Sequence, residues 1–388
     1  MRLARAVLAC GAVAFTIACV AAPADARAAA FATWRPFVLV AGLLLVGVVA
    51  HENGIFDALG RLLARAPLGR TGFVLAGLFV VAAVTALLNL DTAAAFVTPV
   101  LLLGAMHRGD TDERILYGSL LMCNAASLLL PGSNLTNLIV LSSEHRIGAS
   151  VTGARFAGAM WPAFVAAVAV TAAFTVCTRR RRRDGAPVVP QTVDKSTVYG
   201  TTGLESGVAM VAVLAALVLM LTLSDPAAPV LAVGVAAGAL EIVRRRLSVG
   251  RALEAVDPAL LLGLFGTAVA LGTLGRGWHW PSSVLGSANP AATAAIAAGS
   301  SVVFNNLPSA ALLAARPVAH ARALLIGLNL GPNLAVTGSL SALLWYRTAR
   351  TVGARPRLLE VTRLGVIVVP LSIAAALLAV HVVGGNSL

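Results

Sequence analysis

The sequence predicts an all-α polytopic membrane protein with about nine spans plus two re-entrant hairpins, arranged as an inverted repeat. Of its 388 residues, 59% are hydrophobic and only 12% are charged, whereas soluble domains carry about 25% charged residues. Apolar runs of roughly 20 residues, the length that a helix needs to cross a bilayer, recur from end to end. Gly- and Pro-interrupted segments also lie at matching places in the two halves.

The charge balance is basic, with 29 Lys and Arg residues against 16 Asp and Glu. The basic residues form short clusters between apolar runs and are not interleaved with aromatic residues, which favours membrane topology over a nucleic-acid partner. The four cysteines, Cys10, Cys19, Cys123 and Cys177, lie in apolar segments without CxxC spacing. We therefore expect no disulfide framework, metal site or cofactor.

Residues 1–28 carry Arg2 and Arg5, an apolar run over 6–22 and an Ala24-x-Ala26 pattern. This is the form of a secretory signal peptide, and it is equally the form of a first transmembrane segment. Both readings stay open. Continuous apolar runs predict eight further spans at 37–56, 117–141, 155–178, 207–223, 227–243, 258–274, 323–345 and 364–383.

Two other apolar stretches do not fit a single crossing. Residues 291–320 contain Asn305-Asn306-Leu307-Pro308 at their centre. Arms of about 13 residues reach only about 20 Å, less than the hydrocarbon core of about 30 Å. Residues 72–106 have the same form around Asn89-Leu90-Asp91-Thr92. Both stretches are predicted to be re-entrant hairpins.

This arrangement places 22 of the 29 basic residues on the cytoplasmic side, as the positive-inside rule requires of a protein in the cell membrane. It divides the chain into a first repeat over 29–178, a basic cytoplasmic linker over 179–206 with Arg179–Arg183, and a second repeat over 207–388. Residues 89–94 align with 306–311, and Asn124 through Gly132 aligns with Asn329 through Gly338. Interrupted helices at corresponding places in two inverted halves predict a transporter with a central site.

The candidate site follows from the interrupted helices themselves. Backbone groups freed at Pro131-Gly132 or Gly331-Pro332 need polar partners, because hydrocarbon offers none. The alternative role of such residues is hydrogen bonding between helices. The predicted substrate-binding residues are Asn89, Thr92, Asn124, Ser133, Asn134, Thr136, Asn305, Asn306, Asn329, Asn333, Thr337 and Ser339.

Two acidic residues are candidates for proton coupling. Asp91 lies at a hairpin tip, where a carboxylate must pair, titrate or bind an ion; its alternative role is to cap the second arm. Glu52 lies near the inner end of its span, and its alternative is an interfacial position. Cys123 is expected to be dispensable, because a free cysteine is commonly a small buried hydrophobe.

At these residues the sequence resembles the arsenite efflux permeases of the ion transporter superfamily. The matching blocks are 51–56, 86–99, 124–137, 305–308 and 329–345. The resemblance implies a secondary carrier that expels trivalent arsenic or antimony hydroxide in exchange for protons, with a soluble ATPase subunit in some systems and a homodimer as a possible assembly. The chain departs from both groups of relatives. Arsenite permeases often have Asn-Asp-Gly where this chain has Leu90-Asp91-Thr92, and the carboxylate carriers of the superfamily typically have a contiguous Ser-Asn-Thr, which Leu135 interrupts here between Ser133-Asn134 and Thr136. The second departure counts against a citrate or dicarboxylate carrier without excluding one.

Three other classes of function were compared with the sequence: other carriers of the same fold, an enzyme and a scaffold protein. A sodium-coupled di- or tricarboxylate carrier or a sodium/proton antiporter would share the same fold. An enzyme would need a nucleophile, a base or metal ligands that converge on one site, and the spans contain no Ser-His-Asp or His/Glu residues at a spacing that would bring them together. A scaffold would not need interrupted helices at both repeat positions. Without a GxxxxGK[ST] loop, the chain by itself is expected to use an ion gradient.

Overall fold

The computed structural model describes residues 2–108, 113–144, 151–178 and 207–384. These residues form helices and connecting turns, with no strand among them. Seven of the described helices are long and apolar enough to cross a membrane. Large apolar side chains such as Val211, Val218 and Leu371 are exposed on helix surfaces, as expected for helices that face lipid. The all-α membrane fold is thus confirmed, while the linker over 179–206 lies outside the described residues.

The helices of the first half have the following bounds: α1 Arg2–Ala21, α2 Pro23–Glu52, α3 Ile55–Arg65, α4 Arg70–Leu87, α5 Leu90–His107, α6 Glu113–Ala126, α7 Leu135–Glu144 and α8 Gly153–Cys177. Those of the second half are α9 Gly207–Thr222, α10 Ala227–Val243, α11 Val249–Val256, α12 Pro258–Gly277, α13 Trp280–Ser287, α14 Pro290–Phe304, α15 Asn306–Leu313, α16 Ala321–Leu330, α17 Leu340–Thr351 and α18 Leu358–Val383.

Several predicted boundaries differ from the structure. The span predicted at 37–56 begins at Pro23 in α2, because proline suits the first helical position. It ends before Gly54, which adopts a left-handed φ of 72°. The short helices α3, α11 and α13 were not predicted, since with 11, 8 and 8 residues they are too short to form a span. Helix α18 begins six residues earlier than the predicted 364.

The spans predicted over 117–141 and 323–345 are each divided into two short helices. Helices α6 and α7 are separated by residues 127–134, which include a 3₁₀ turn at Pro131–Ser133. Helices α16 and α17 are separated by 3₁₀ turns at Gly331–Leu334 and Val336–Gly338. A proline inside a helix removes a backbone donor and clashes with the preceding turn. The interruptions therefore lie where the two prolines predict them.

The two hairpins differ in length. In hairpin 1, formed by α4 and α5, each arm has 18 residues, or about 27 Å. Its arms are longer than predicted and approach the length of a full span. In hairpin 2, formed by α14 and α15, the second arm has only 8 residues, or about 12 Å. Either form of hairpin 1 returns the chain to the side from which it entered, so the predicted topology is unchanged.

Glycines bring helices of the two halves into close contact. Helix α2 crosses α10 at Gly42, where a Cβ atom would lie 2.7 Å from Leu231 Cα, and at Gly234, where it would lie 2.6 Å from the Gly42 carbonyl oxygen. Helix α1 crosses α12 in the same way: a Cβ atom on Gly263 would lie 2.5 Å from the Val7 carbonyl oxygen. Such backbone contact between membrane helices requires residues without side chains.

Candidate functional site

Both hairpin tips are formed by asparagines that cap a helix. The Asn89 Oδ1 atom accepts a hydrogen bond from the backbone N–H of Thr92 at 2.7 Å, at the start of α5. The Asn305 Oδ1 atom accepts one from the backbone N–H of Leu307 at 3.4 Å, at the start of α15. Asn305 has φ 75° and ψ 151°, a backbone conformation that costs a non-glycine residue free energy and is typical of functional sites.

The two helix interruptions are followed by caps of the same kind. The Asn134 Oδ1 atom accepts from the backbone N–H of Thr136 at 3.1 Å at the start of α7. The Ser339 Oγ atom accepts from the backbone N–H of Ala342 at 3.2 Å at the start of α17. Four helices thus begin inside the bundle with a polar cap. Their N-terminal backbone N–H groups carry partial positive charge.

Each hairpin tip contacts the interruption of its own repeat. The Ser133 hydroxyl donates to the carbonyl of Ala86 at 3.0 Å, near the end of α4. The Asn305 Nδ2 atom donates to the carbonyl of Thr337 at 3.1 Å. These contacts bring together the two regions of each repeat that the sequence predicted to form a site.

Asn329 joins the two repeats. Its Oδ1 atom accepts from the Ser127 hydroxyl at 2.6 Å and from Asn134 Nδ2 at 2.8 Å. Its Nδ2 atom donates to Asn137 Oδ1 at 2.7 Å and to the carbonyl of Leu325 at 2.8 Å. Asn329 is fully buried, and its amide has no remaining hydrogen-bonding capacity. It therefore holds the interruptions together.

Ser127 was not predicted, and Asn137, although one of the polar residues at the Pro131 interruption, was not among the predicted substrate-binding residues. The Asn137 Nδ2 atom donates to the carbonyls of Ser127 and Leu130 at 2.7 and 3.2 Å. It thereby satisfies backbone groups that the interruption leaves without partners inside the helix. Both residues belong to the polar block around Pro131, so their position in that block was the available signal.

A second contact between repeats joins Asn124 and Asn333. The Asn124 Nδ2 atom donates to Asn333 Oδ1 at 2.7 Å, and Asn333 Nδ2 donates to the carbonyl of Leu121 at 3.1 Å. The Asn124 Oδ1 atom is buried and has no hydrogen-bond partner among the described residues. This atom therefore remains able to accept a hydrogen bond or to coordinate a cation.

Four predicted site residues have a buried polar atom without a partner in the structure, all in the first repeat: Asn89 Nδ2, Thr92 Oγ1, Asn124 Oδ1 and Thr136 Oγ1. An unsatisfied buried polar atom costs about 1–3 kcal/mol. A ligand or water molecule that paired with these atoms would remove that cost.

The corresponding residues of the second repeat are arranged differently. Asn306 is buried at the start of α15, whereas Asn305 is partly buried and Thr337 is exposed. The Ser339 hydroxyl, besides capping α17, lies 2.9 Å from the hydroxyl of Ser341. The predicted residues of the second repeat therefore provide capping and contacts between segments.

Asp91 lies beside these atoms at the tip of hairpin 1. Asn89 and not Asp91 provides the cap of α5. The Asp91 side chain is partly buried, and no hydrogen bond or ion pair joins its carboxylate to another described residue. The tip packs directly on α2, because a Cβ atom at Gly47 would lie 2.7 Å from Thr92 Oγ1. A carboxylate in such a place is expected to bind a proton or a cation.

Glu52 has a different environment. Its two carboxylate oxygens lie 2.9 and 3.0 Å from Nη1 of Arg251 on α11, and the Glu52 side chain is buried. Hydrogen bonds between oppositely charged groups are shorter and stronger than those between neutral groups. The contact joins the end of α2 to the second repeat.

Cys123 is buried beside Asn124. Among the described residues, no group of three or more His, Cys, Asp or Glu side chains is arranged to hold a metal ion. The site is thus composed of amides, hydroxyls, helix N-termini and one carboxylate.

Comparison with known proteins places this geometry in a family. Residues 1–349 match the model of the family described as citrate transporter, CitMHS. The chain belongs to the CitMHS family. It is therefore a secondary transporter and a multi-pass protein of the cell membrane. The match supports the ion transporter superfamily that the motifs predicted, but it does not support the arsenite efflux subfamily.

A solved structure shares the fold of this CitMHS member. It is the YdaH transporter of Alcanivorax borkumensis, described as having an unusual topology, at 12% sequence identity. The alignment covers 93% of this chain and 88% of that one, with a TM-score of 0.58. At this identity the likeness concerns the fold alone. A comparison with curated proteins finds no match.

Proposed function

We propose that the protein is a cation-coupled secondary carrier of citrate-type di- or tricarboxylates. The observation that carries this proposal is the set of four capped helix N-termini inside the bundle, at Asn89, Asn134, Asn305 and Ser339. Helix N-termini favour anions through their partial positive charge and free N–H groups. Interrupted helices in transporters point these ends at anionic groups of the substrate.

The side chains around these N-termini suit a carboxylate. Asn89 Nδ2, Thr92 Oγ1 and Thr136 Oγ1 can each donate a hydrogen bond and have no acceptor within the structure. The family name supports the same class of cargo, because its description is that of a citrate carrier. We propose that these three residues of the first repeat bind the substrate.

Asp91 supplies the coupling in this proposal. Two negative charges close together in a low-dielectric site repel strongly, so binding of an anionic substrate favours the neutralisation of Asp91 by a proton or a cation. Binding of each partner then promotes binding of the other, which is the requirement for symport. Glu52 was the other candidate, and we assign it to holding α2 on α11 through Arg251.

Arsenite or antimonite export by proton exchange is the second candidate. The observation that favours it is the similarity of blocks 86–99, 124–137 and 329–345 to arsenite permeases. A neutral trihydroxide would hydrogen-bond to the same amides and hydroxyls. In that case a soluble ATPase subunit becomes a candidate partner, and a homodimer is compatible with either cargo.

The test is uptake of radiolabelled citrate into proteoliposomes under an imposed proton gradient or an imposed sodium gradient, with arsenite measured in parallel. We expect citrate uptake that one of the two gradients drives and that Asp91→Asn abolishes. The matched control is Asp225→Asn, which changes a half-exposed acid paired with Arg35 outside the site. Arsenite transport without citrate transport would support the second candidate, and movement of neither would refute both.

A further inference from the structure

The second arm of hairpin 1 contains a feature that hairpin 2 does not share. In α5, residues Ala93–Val97 form a π-helical turn, whereas α15, the second arm of hairpin 2, is α-helical throughout. The turn begins two residues after Asp91. A π-turn within an α-helix often marks a functional site.

Pro99 explains which backbone group this turn leaves without a partner. The Thr98 N–H donates to the carbonyl of Ala93, five residues earlier, so it is not available to the carbonyl of Ala94. The next N–H in order would come from residue 99, and proline has none. The Ala94 carbonyl therefore has no donor within α5. Such a group must find one elsewhere if it lies inside a membrane protein.

The donor comes from the second repeat. The Thr348 hydroxyl on α17 lies 3.1 Å from the carbonyl of Ala94. The same hydroxyl also lies 3.0 Å from the Leu344 carbonyl and 3.3 Å from the Trp345 carbonyl within its own helix. A hydroxyl has one proton to donate. Thr348 can thus release Ala94 and donate to its own helix without losing a hydrogen bond.

We propose that Thr348 is a positioning residue for transport: it holds the π-turn Ala93–Val97 against α17 and so sets the position of Asp91 at the tip of hairpin 1. This inference rests on the proposed role of Asp91. The opposite side of the turn is held by Phe96, whose ring stacks on His51 of α2 with centroids 4.5 Å apart. The turn is therefore held between α2 of the first repeat and α17 of the second.

Loss of the Thr348 hydroxyl should leave α17 in place. Its fully buried Trp345 donates from Nε1 to the carbonyl of Leu116 at 2.8 Å, and that contact is independent of Thr348. Thr351 offers a matched control on the same helix. Its hydroxyl is exposed and donates to the Thr348 carbonyl at 2.8 Å, so it bonds within α17 only.

The experiment compares Thr348→Val, Thr348→Ser and Thr351→Val in proteoliposomes and by hydrogen–deuterium exchange in nanodiscs. Thr348→Val removes the hydroxyl at nearly constant shape. We expect it to lower the maximum rate of citrate uptake at least five-fold, with a smaller change in KM, and to speed amide exchange in residues 90–100 at least five-fold. Thr348→Ser and Thr351→Val should stay within two-fold of the wild type in both measurements.

The variant Pro99→Ala provides an independent test of the proposal. It restores a backbone N–H in α5, so the exchange rate of residues 90–100 in Pro99→Ala/Thr348→Val should equal that in Pro99→Ala alone. This comparison also tests the proposal if the single variant Thr348→Val does not fold. The proposal is overturned if Thr348→Val behaves as wild type in exchange, if Thr348→Ser is as impaired as Thr348→Val, or if the double variant exchanges faster than Pro99→Ala.

The exchange measurement does not depend on cargo. If the wild type takes up no citrate, the proposed function has failed, while the exchange comparison still decides whether Thr348 holds the π-turn. If citrate is transported and Thr348→Val changes exchange but not the rate of uptake, the contact exists without a positioning role and the inference is wrong.

Discussion

Replacement of Asn329 by alanine tests whether the two repeats are joined as the structure shows. The substitution removes three hydrogen bonds to side chains of the first repeat, those with Ser127, Asn134 and Asn137. Hydrogen bonds between membrane helices contribute about 0.6 kcal/mol each on average, which gives about 2 kcal/mol for three. The buried partners left without Asn329 raise the expected loss toward about 3 kcal/mol.

The measurement is the free energy of unfolding in mixed micelles, titrated with sodium dodecyl sulfate and followed by circular dichroism. Asn289→Ala is the matched control, because Asn289 is an exposed cap whose Oδ1 atom accepts from the Ala292 N–H at 2.8 Å, and loss of such a cap costs about 1 kcal/mol. A loss at Asn329 no larger than at Asn289 would refute the account of Asn329 as the link between repeats.

Three further predictions concern other contacts. Gly234→Ala places a methyl group 2.6 Å from the Gly42 carbonyl oxygen and should lower the melting temperature by several degrees, whereas Gly238→Ala, with open space around it, should leave it unchanged; equal melting temperatures would contradict the close α2–α10 contact. Arg251→Gln breaks the ion pair with the buried Glu52 carboxylate, so it should destabilise the protein more than the double variant with Glu52→Gln, as chemical denaturation can check. Cys123→Ala should keep citrate uptake within two-fold of the wild type, since the buried thiol lies in no metal-binding cluster of the described chain, and a larger loss would give Cys123 a role that the site does not explain.

The interruptions were predictable because they are local. Pro131 and Pro332 remove a backbone donor wherever the chain folds, and the polar residues beside them are visible in the sequence. The sequence also singled out Asp91 as an acid at a hairpin tip. It could not separate residues that cap helices from residues with unused polar atoms. Asn134 and Thr136 lie two positions apart, yet one caps α7 and contacts Asn329 while the other has an unpaired hydroxyl.

Partners far apart in the chain could not be predicted. Glu52 was considered for coupling because it lies near the inner end of its span, and its partner Arg251 lies on a short helix that the hydropathy pattern did not reveal. The boundaries of α2 and α18 also differ from the predicted ones. The position of a helix end depends on its cap and on packing at the membrane surface, and neither can be read from the hydropathy of the sequence.

The sequence by itself determined the membrane environment, the all-helical fold and the places where helices are interrupted, because each follows from hydropathy and from the missing N–H of proline. Only the tertiary structure decided that Asn329 joins the interruptions and that Thr348 donates to the Ala94 carbonyl. The reason is physical. A backbone or side-chain amide group without a local partner can hydrogen-bond to any suitable polar group. The group that lies within reach depends on the packing of segments about 200 residues or more apart.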